Sequence, residues 1–93
     1  MVNTLADVTI TATATALSAT SIRANWVQIQ GKTITAAARV GDSLISSTRG
    51  AMIPSANSIL LFPSVGNTNC YDLSTIYIIG TANDVAAVCY NTV

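Results

Sequence analysis

The chain has 93 residues, 51% of them hydrophobic and only 9% charged, and four acidic side chains balance four basic ones. A length of this order supports one core and no second domain, and a surface this poor in charge and this close to neutrality favours association over life as a free monomer. Neither His nor Glu occurs, which removes the groups that most often carry general acid–base chemistry and argues against an enzyme.

Residues 1 to 7 carry no periodic pattern and read as a flexible N-terminal arm, with residues 8 to 93 as a single β-sandwich domain. From Val8 to Ala16 the sequence alternates, Thr9, Thr11, Thr13 and Thr15 on one side against Val8, Ile10, Ala12, Ala14 and Ala16 on the other. Period two with β-branched residues predicts one continuous strand. Asn25 to Gln30 alternates again, with Val27 and Ile29 opposed by Trp26, Gln28 and Gln30, and Gly31-Lys32 is expected to end it. Residues 33 to 41 form a third, weaker strand, closed by the turn residues Gly41-Asp42-Ser43.

Residues 44 to 53 suggest a short strand and a loop. Pro54-Ser55-Ala56-Asn57 is a turn, and Ser58 to Phe62 is an unbroken apolar run that predicts a strand buried on both faces, stopped by Pro63. Ser64 to Asp72 reads as the longest loop. Thr75 to Ile79 and Val85 to Tyr90 are expected to pair as a hairpin across Gly80-Thr81-Ala82-Asn83-Asp84. No stretch has the spacing and caps of a helix. Six to eight short strands at this spacing predict an all-β fold, an antiparallel sandwich or jelly roll.

Candidate sites are few. The four Asp residues lie in or beside turns, where a carboxylate accepts backbone hydrogen bonds. Asp72 and Asp84, with nearby Asn67, Asn69 and Asn83, leave calcium open as a ligand, although no D-x-[DN]-x-[DN]-G pattern occurs; no metal or other cofactor is expected. Cys70 and Cys89 lack metal-ligand spacing, and in the expected hairpin Cys89 falls opposite Thr75, out of register with Cys70, so free thiols are expected. Arg23, Lys32, Arg39 and Arg49 are scattered rather than clustered, which argues against nucleic acid. No apolar run approaches the roughly 18 residues of a membrane span. The N-terminus has no signal-peptide pattern, so a chain made in a cytoplasm and complete from Met1 is expected. Trp26 either caps the edge of the core or belongs to a contact surface, and Arg23, Arg39 and Arg49 are candidates for pairing with a partner's carboxylates.

The order Asn25-Trp26-Val27-Gln28-Ile29-Gln30, Ala38-Arg39-Val40-Gly41-Asp42, Arg49-Gly50 with Ser58-Ile59-Leu60-Leu61, then Leu73-Ser74-Thr75-Ile76-Tyr77-Ile78-Ile79-Gly80 leading into Val85-Ala86-Ala87-Val88-Cys89-Tyr90 resembles small virion proteins of tailed bacteriophages. The resemblance implies a β-sandwich module of the particle: a capsid decoration (cement) protein, assembled as a homotrimer on the major capsid protein at the capsid surface, without nucleic acid or membrane. A tail- or fibre-associated module that binds a host-surface receptor or glycan is the alternative, with Trp26, Tyr71 and loop 64–72 as an aromatic platform. On the decoration reading Met1, Val2, Asn3, Thr4 and Leu5 of the arm reach a neighbour, with Arg23, Trp26, Arg39 and Arg49 as further interface residues. A Thr-rich secreted adhesin is a third reading, and it requires an export signal.

Overall fold

A computed structural model describes residues 2–64 and 70–92. Among these, ten strands form two packed antiparallel sheets: β1 (Val2–Thr4), β2 (Val8–Thr9), β3 (Thr15–Ala16), β4 (Arg23–Thr33), β5 (Ala38–Gly41), β6 (Ala51–Ile53), β7 (Ile59–Phe62), β8 (Tyr71–Asp72), β9 (Tyr77–Ile79) and β10 (Val85–Thr92). The larger sheet has the order β1-β10-β4-β7, with β2 also on β10 and β8 also on β4; the smaller has the order β3-β9-β5-β6. The expected all-β sandwich is therefore present, with more and shorter strands than the six to eight read from the sequence.

The β4–β10 pair is the spine of the larger sheet, running from Val85 opposite Thr33 to Thr92 opposite Ala24 with an irregularity near each end. Val27 and Ile29 are fully buried on the inner face, as their alternation predicts. The strand does not stop at Gly31-Lys32. Gly31 is tolerated in mid-strand because a Cβ there would lie 2.6 Å from Ile34 Cγ1 and 3.0 Å from Ile53 Cγ2, so its missing side chain lets the smaller sheet close over β4. Ile10, Ile29, Ile53, Leu73, Ile78, Val27 and Val40 fill the space between the sheets with under 2% exposure, each worth about 1.5–3 kcal/mol on burial.

Three further expectations are corrected. The alternating run 8–16 is not one strand: β2 joins the larger sheet and β3 the smaller. Between them the Thr11 hydroxyl donates to the Thr13 carbonyl at 2.8 Å and the Thr15 hydroxyl to the same oxygen at 3.1 Å, local bonds that draw the backbone away from a ladder. The last two strands are not a hairpin either, since β9 pairs in the smaller sheet and β10 in the larger, so residues 80–84 cross between sheets. The two crossings lie side by side. Ile10 N–H donates to Asp84 O (2.7 Å), Asn83 N–H to Ile10 O (3.1 Å) and Gly80 N–H to Thr11 O (3.0 Å).

The apolar run at Ile59–Phe62 is an edge strand rather than a buried one, with Ile59 58% and Leu61 56% exposed. The N-terminal segment, expected as an arm, runs along β10. Residues 2–4 pair with β10 in the register Val2–Asn91, Asn3–Tyr90 and Thr4–Cys89, Leu5 N–H donates to Val88 O at 3.1 Å, and Leu5 packs against the core. In that position the segment satisfies backbone groups that an unpaired β10 edge would leave open.

Two carboxylates fasten the loops. Asp84, 3% exposed, accepts from Thr35 N–H at 2.8 Å and the Thr35 hydroxyl at 2.7 Å, tying the 34–37 loop to the crossing. Asp72 accepts from the Ser21 hydroxyl, from Ile22 N–H at 3.2 Å and from both the backbone N–H and the hydroxyl of Ser74 at 3.0 and 2.7 Å. The Ser21 hydroxyl first, then the two Ser74 donors, holds its carboxyl well below the usual carboxylate range.

Candidate interaction surface

Because Val27, Ile29, Ala86, Val88 and Tyr90 point inward, the intervening residues of β4 and β10 share the outer face of the larger sheet. The register aligns them in rows. Thr4, Cys89, Gln28 and Leu61 stand opposite one another across four strands; on one side of that row lie Val2, Asn91 and Trp26, and on the other Ala87, Gln30 and Ile59. None of these ten side chains is charged. Val2, Ile59 and Leu61 are all more than half exposed, and Asn91 donates its amide to Asn25 Oδ1 at 2.8 Å.

Two shallow grooves run over this face and meet at Gln28. One, of about 260 Å³, is lined by Thr4, Gln28, Gln30, Ala87 and Cys89 with Asp7 at its end; the other, of about 360 Å³, lies beside Trp26, Leu61, Pro63 and Ser64. Lys32 and Asp7 form an ion pair at one end of the sheet, exposed enough to contribute little to stability. The face offers amides, a hydroxyl, a thiol and apolar surface. It can bind by shape and hydrogen bonding.

The residues expected at an interface are only partly brought together. Val2, Thr4 and Trp26 share the outer face, with Trp26 outside the core cluster. Arg23 is exposed at the start of β4, where its Nε donates to Cys70 Sγ at 3.0 Å. Asn3 is half-buried, and Leu5 turns inward. Arg39 belongs to the smaller sheet and bonds Gly50 O at 2.9 Å, with Arg49 in the connection that precedes β6. Met1 lies outside the described residues.

No protein-family model matches the chain, and no curated protein or solved structure is detectably similar to it.

Of the aromatic platform in the alternative reading, Trp26 and Tyr71 take opposite sides of the larger sheet. Tyr71 stands opposite Ala24 on the inner side, its ring edge-on to Phe62 at 5.4 Å and its hydroxyl on Pro63 O at 2.9 Å, while Trp26 faces outward. Residues 65–69 of the loop in that reading lie outside the described residues. The cysteines are unbridged. Cys89 stands opposite Gln28 and Thr4, not Thr75, because the hairpin that implied that register is absent. The carboxylates of Asp72 and Asp84 are engaged by the chain's own donors, and among the described residues no three metal-ligating side chains converge. Sequence reading noted Gln28 and Gln30 as a polar strand face but missed Ile59, Leu61, Cys89 and Asn91, whose membership depends on which strands become neighbours.

Proposed function

We propose that this protein is a structural subunit without a catalytic step, and that it docks onto a larger partner through the outer face of its six-stranded sheet. The observation that carries the reading is that face: three rows without a charge, three of whose apolar side chains are more than half exposed. Ile59 and Leu61 make the β7 end of that face apolar; clustered exposed apolar side chains mark contact sites on soluble proteins, and interface centres are depleted in charge and enriched in aromatic residues such as Trp. The partner proposed is the major capsid protein of a tailed bacteriophage, on whose outer surface the subunit adds buried area across capsomer boundaries and so stabilises the lattice. That identity is supported by the sequence resemblance. The face supports docking.

Co-sedimentation with empty expanded capsids tests both parts. The protein is expected to pellet with capsids, Trp26→Ala and Gln28→Lys to lose at least tenfold in affinity, and Arg39→Ala on the other sheet to bind as the parent does. Equal binding by all variants would refute the docking face, and a parent protein that stays in the supernatant would refute the capsid partner.

A further inference from the structure

Among the described residues, one side wall of the sandwich is made by two sheet edges with no further strand on them. β7 ends the larger sheet and β6 ends the smaller, and the two strands lie against each other. An edge strand presents a row of unpaired backbone N–H and C=O groups, and proteins usually protect such edges with charge, proline or bulges. None of these occurs within Ile59–Phe62 or Ala51–Ile53, and no residue from Ala51 to Tyr71 is charged. Among the described residues, three of the five large exposed hydrophobic side chains, Ile59, Leu61 and Met52, lie on these two strands.

From this wall we infer that the protein pairs with a second copy of itself, β7 against β7 in antiparallel fashion about a two-fold axis. The unpaired backbone groups require an extended strand as occupant, and the uncharged, apolar side chains make a second identical edge a partner with nothing to repel it. Register is restricted. A two-fold axis normal to the sheet keeps outer side chains outward in both copies, so Ile59 and Leu61 must meet outward residues. The central solution sets Leu60 against Leu60 of the second copy and Ile59 against Leu61, and it continues two of the three uncharged rows, those that end in Leu61 and in Ile59, from one molecule into the next. β7 is four residues long, about 13 Å of edge, too short to build the ~800 Å² per partner of a standard interface, so the pairing is weak and dependent on concentration. It is a pair, where the sequence resemblance implies a trimer.

Sedimentation equilibrium from about 10 μM to 1 mM tests this. The weight-average mass is expected to rise from 9.6 kDa toward twice that value. Ile59→Lys/Leu61→Lys should weaken association at least tenfold, and Gln28→Lys, on the same face but one strand inward, should leave it unchanged. Met52→Lys on β6 gives an independent reading should the double variant melt early. A parent protein monomeric at the highest concentration, a trimer, edge variants that associate undiminished, or an equal loss in Gln28→Lys would each overturn the inference. The capsid assay remains readable whichever result is obtained.

Discussion

Asp84→Ala removes the one charged side chain that is buried among the described residues. Its carboxylate takes two hydrogen bonds from Thr35, at 2.8 and 2.7 Å, and each bond to a charged acceptor contributes about 1.5–3 kcal/mol. Thr35 is exposed, so water replaces part of what its two donors lose, which lowers the expected cost to about 2–3 kcal/mol. A domain of this length has a total stability of about 5–14 kcal/mol, so the variant still folds, with a melting temperature lower by roughly 10–20 °C. Urea titration at pH 7 reads the loss directly as a lower midpoint at unchanged slope. Thr35→Val removes only the hydroxyl and should cost about 1 kcal/mol, and combining it with Asp84→Ala should cost less than the sum of the two by at least ~0.5 kcal/mol. An Asp84→Ala variant within ~0.5 kcal/mol of the parent, or strict additivity with Thr35→Val, would refute the fastening role assigned to this carboxylate.

Three further outcomes follow from the packing and the charges. Asp72 has a carboxyl held below its ordinary range in the folded state, so its contribution is complete above the unfolded value near 4 and is lost as pH falls toward the native value. Urea midpoints of Asp72→Asn and the parent should therefore differ at pH 7 and converge between about pH 5 and 2; a constant difference would refute this. Gly50 has φ +126°, and a Cβ there would lie 3.0 Å from Val40 O; Gly50→Ala should cost about 1–3 kcal/mol by thermal melting. Ile78→Ala empties a fully buried site between the sheets and should cost about 2–5 kcal/mol in the same assay, with the outer face unaltered.

What the sequence made legible was the local face of each strand. Val27 and Ile29 against Trp26, Gln28 and Gln30 gave both the inner and the outer side of β4 correctly, because alternation records burial directly. Partner choice leaves no such trace. The hairpin expected from Thr75 to Tyr90 failed because a five-residue link closes a turn or crosses between sheets with the same composition. The Thr-alternating run 8–16 looked unbroken because period two cannot distinguish a ladder from hydroxyls bonded to their own backbone at Thr13. Ile59–Phe62 was read as buried because an all-apolar strand usually has both faces covered, and here the outer face is left open. For the candidate surface, Trp26 and its glutamines were visible in one strand, whereas the rows they belong to exist only after β1, β10 and β7 have taken their places.

The pairing of β1 with β10 sets residues 2–4 beside residues 89–91, and the central β4–β10 ladder joins positions roughly sixty residues apart. A nascent chain emerging from the ribosome can complete neither until its last strand has been synthesised. Folding that depends on such distant contacts is slow for the chain's size, and during the wait the uncharged strands 51–62 stand open to any neighbouring chain. Rapid co-production of many copies therefore brings unfinished molecules together along the same edge that finished ones expose. Yield in a bacterial host should rise at lower temperature and slower synthesis, as the last strand gains time to reach its place before another chain does.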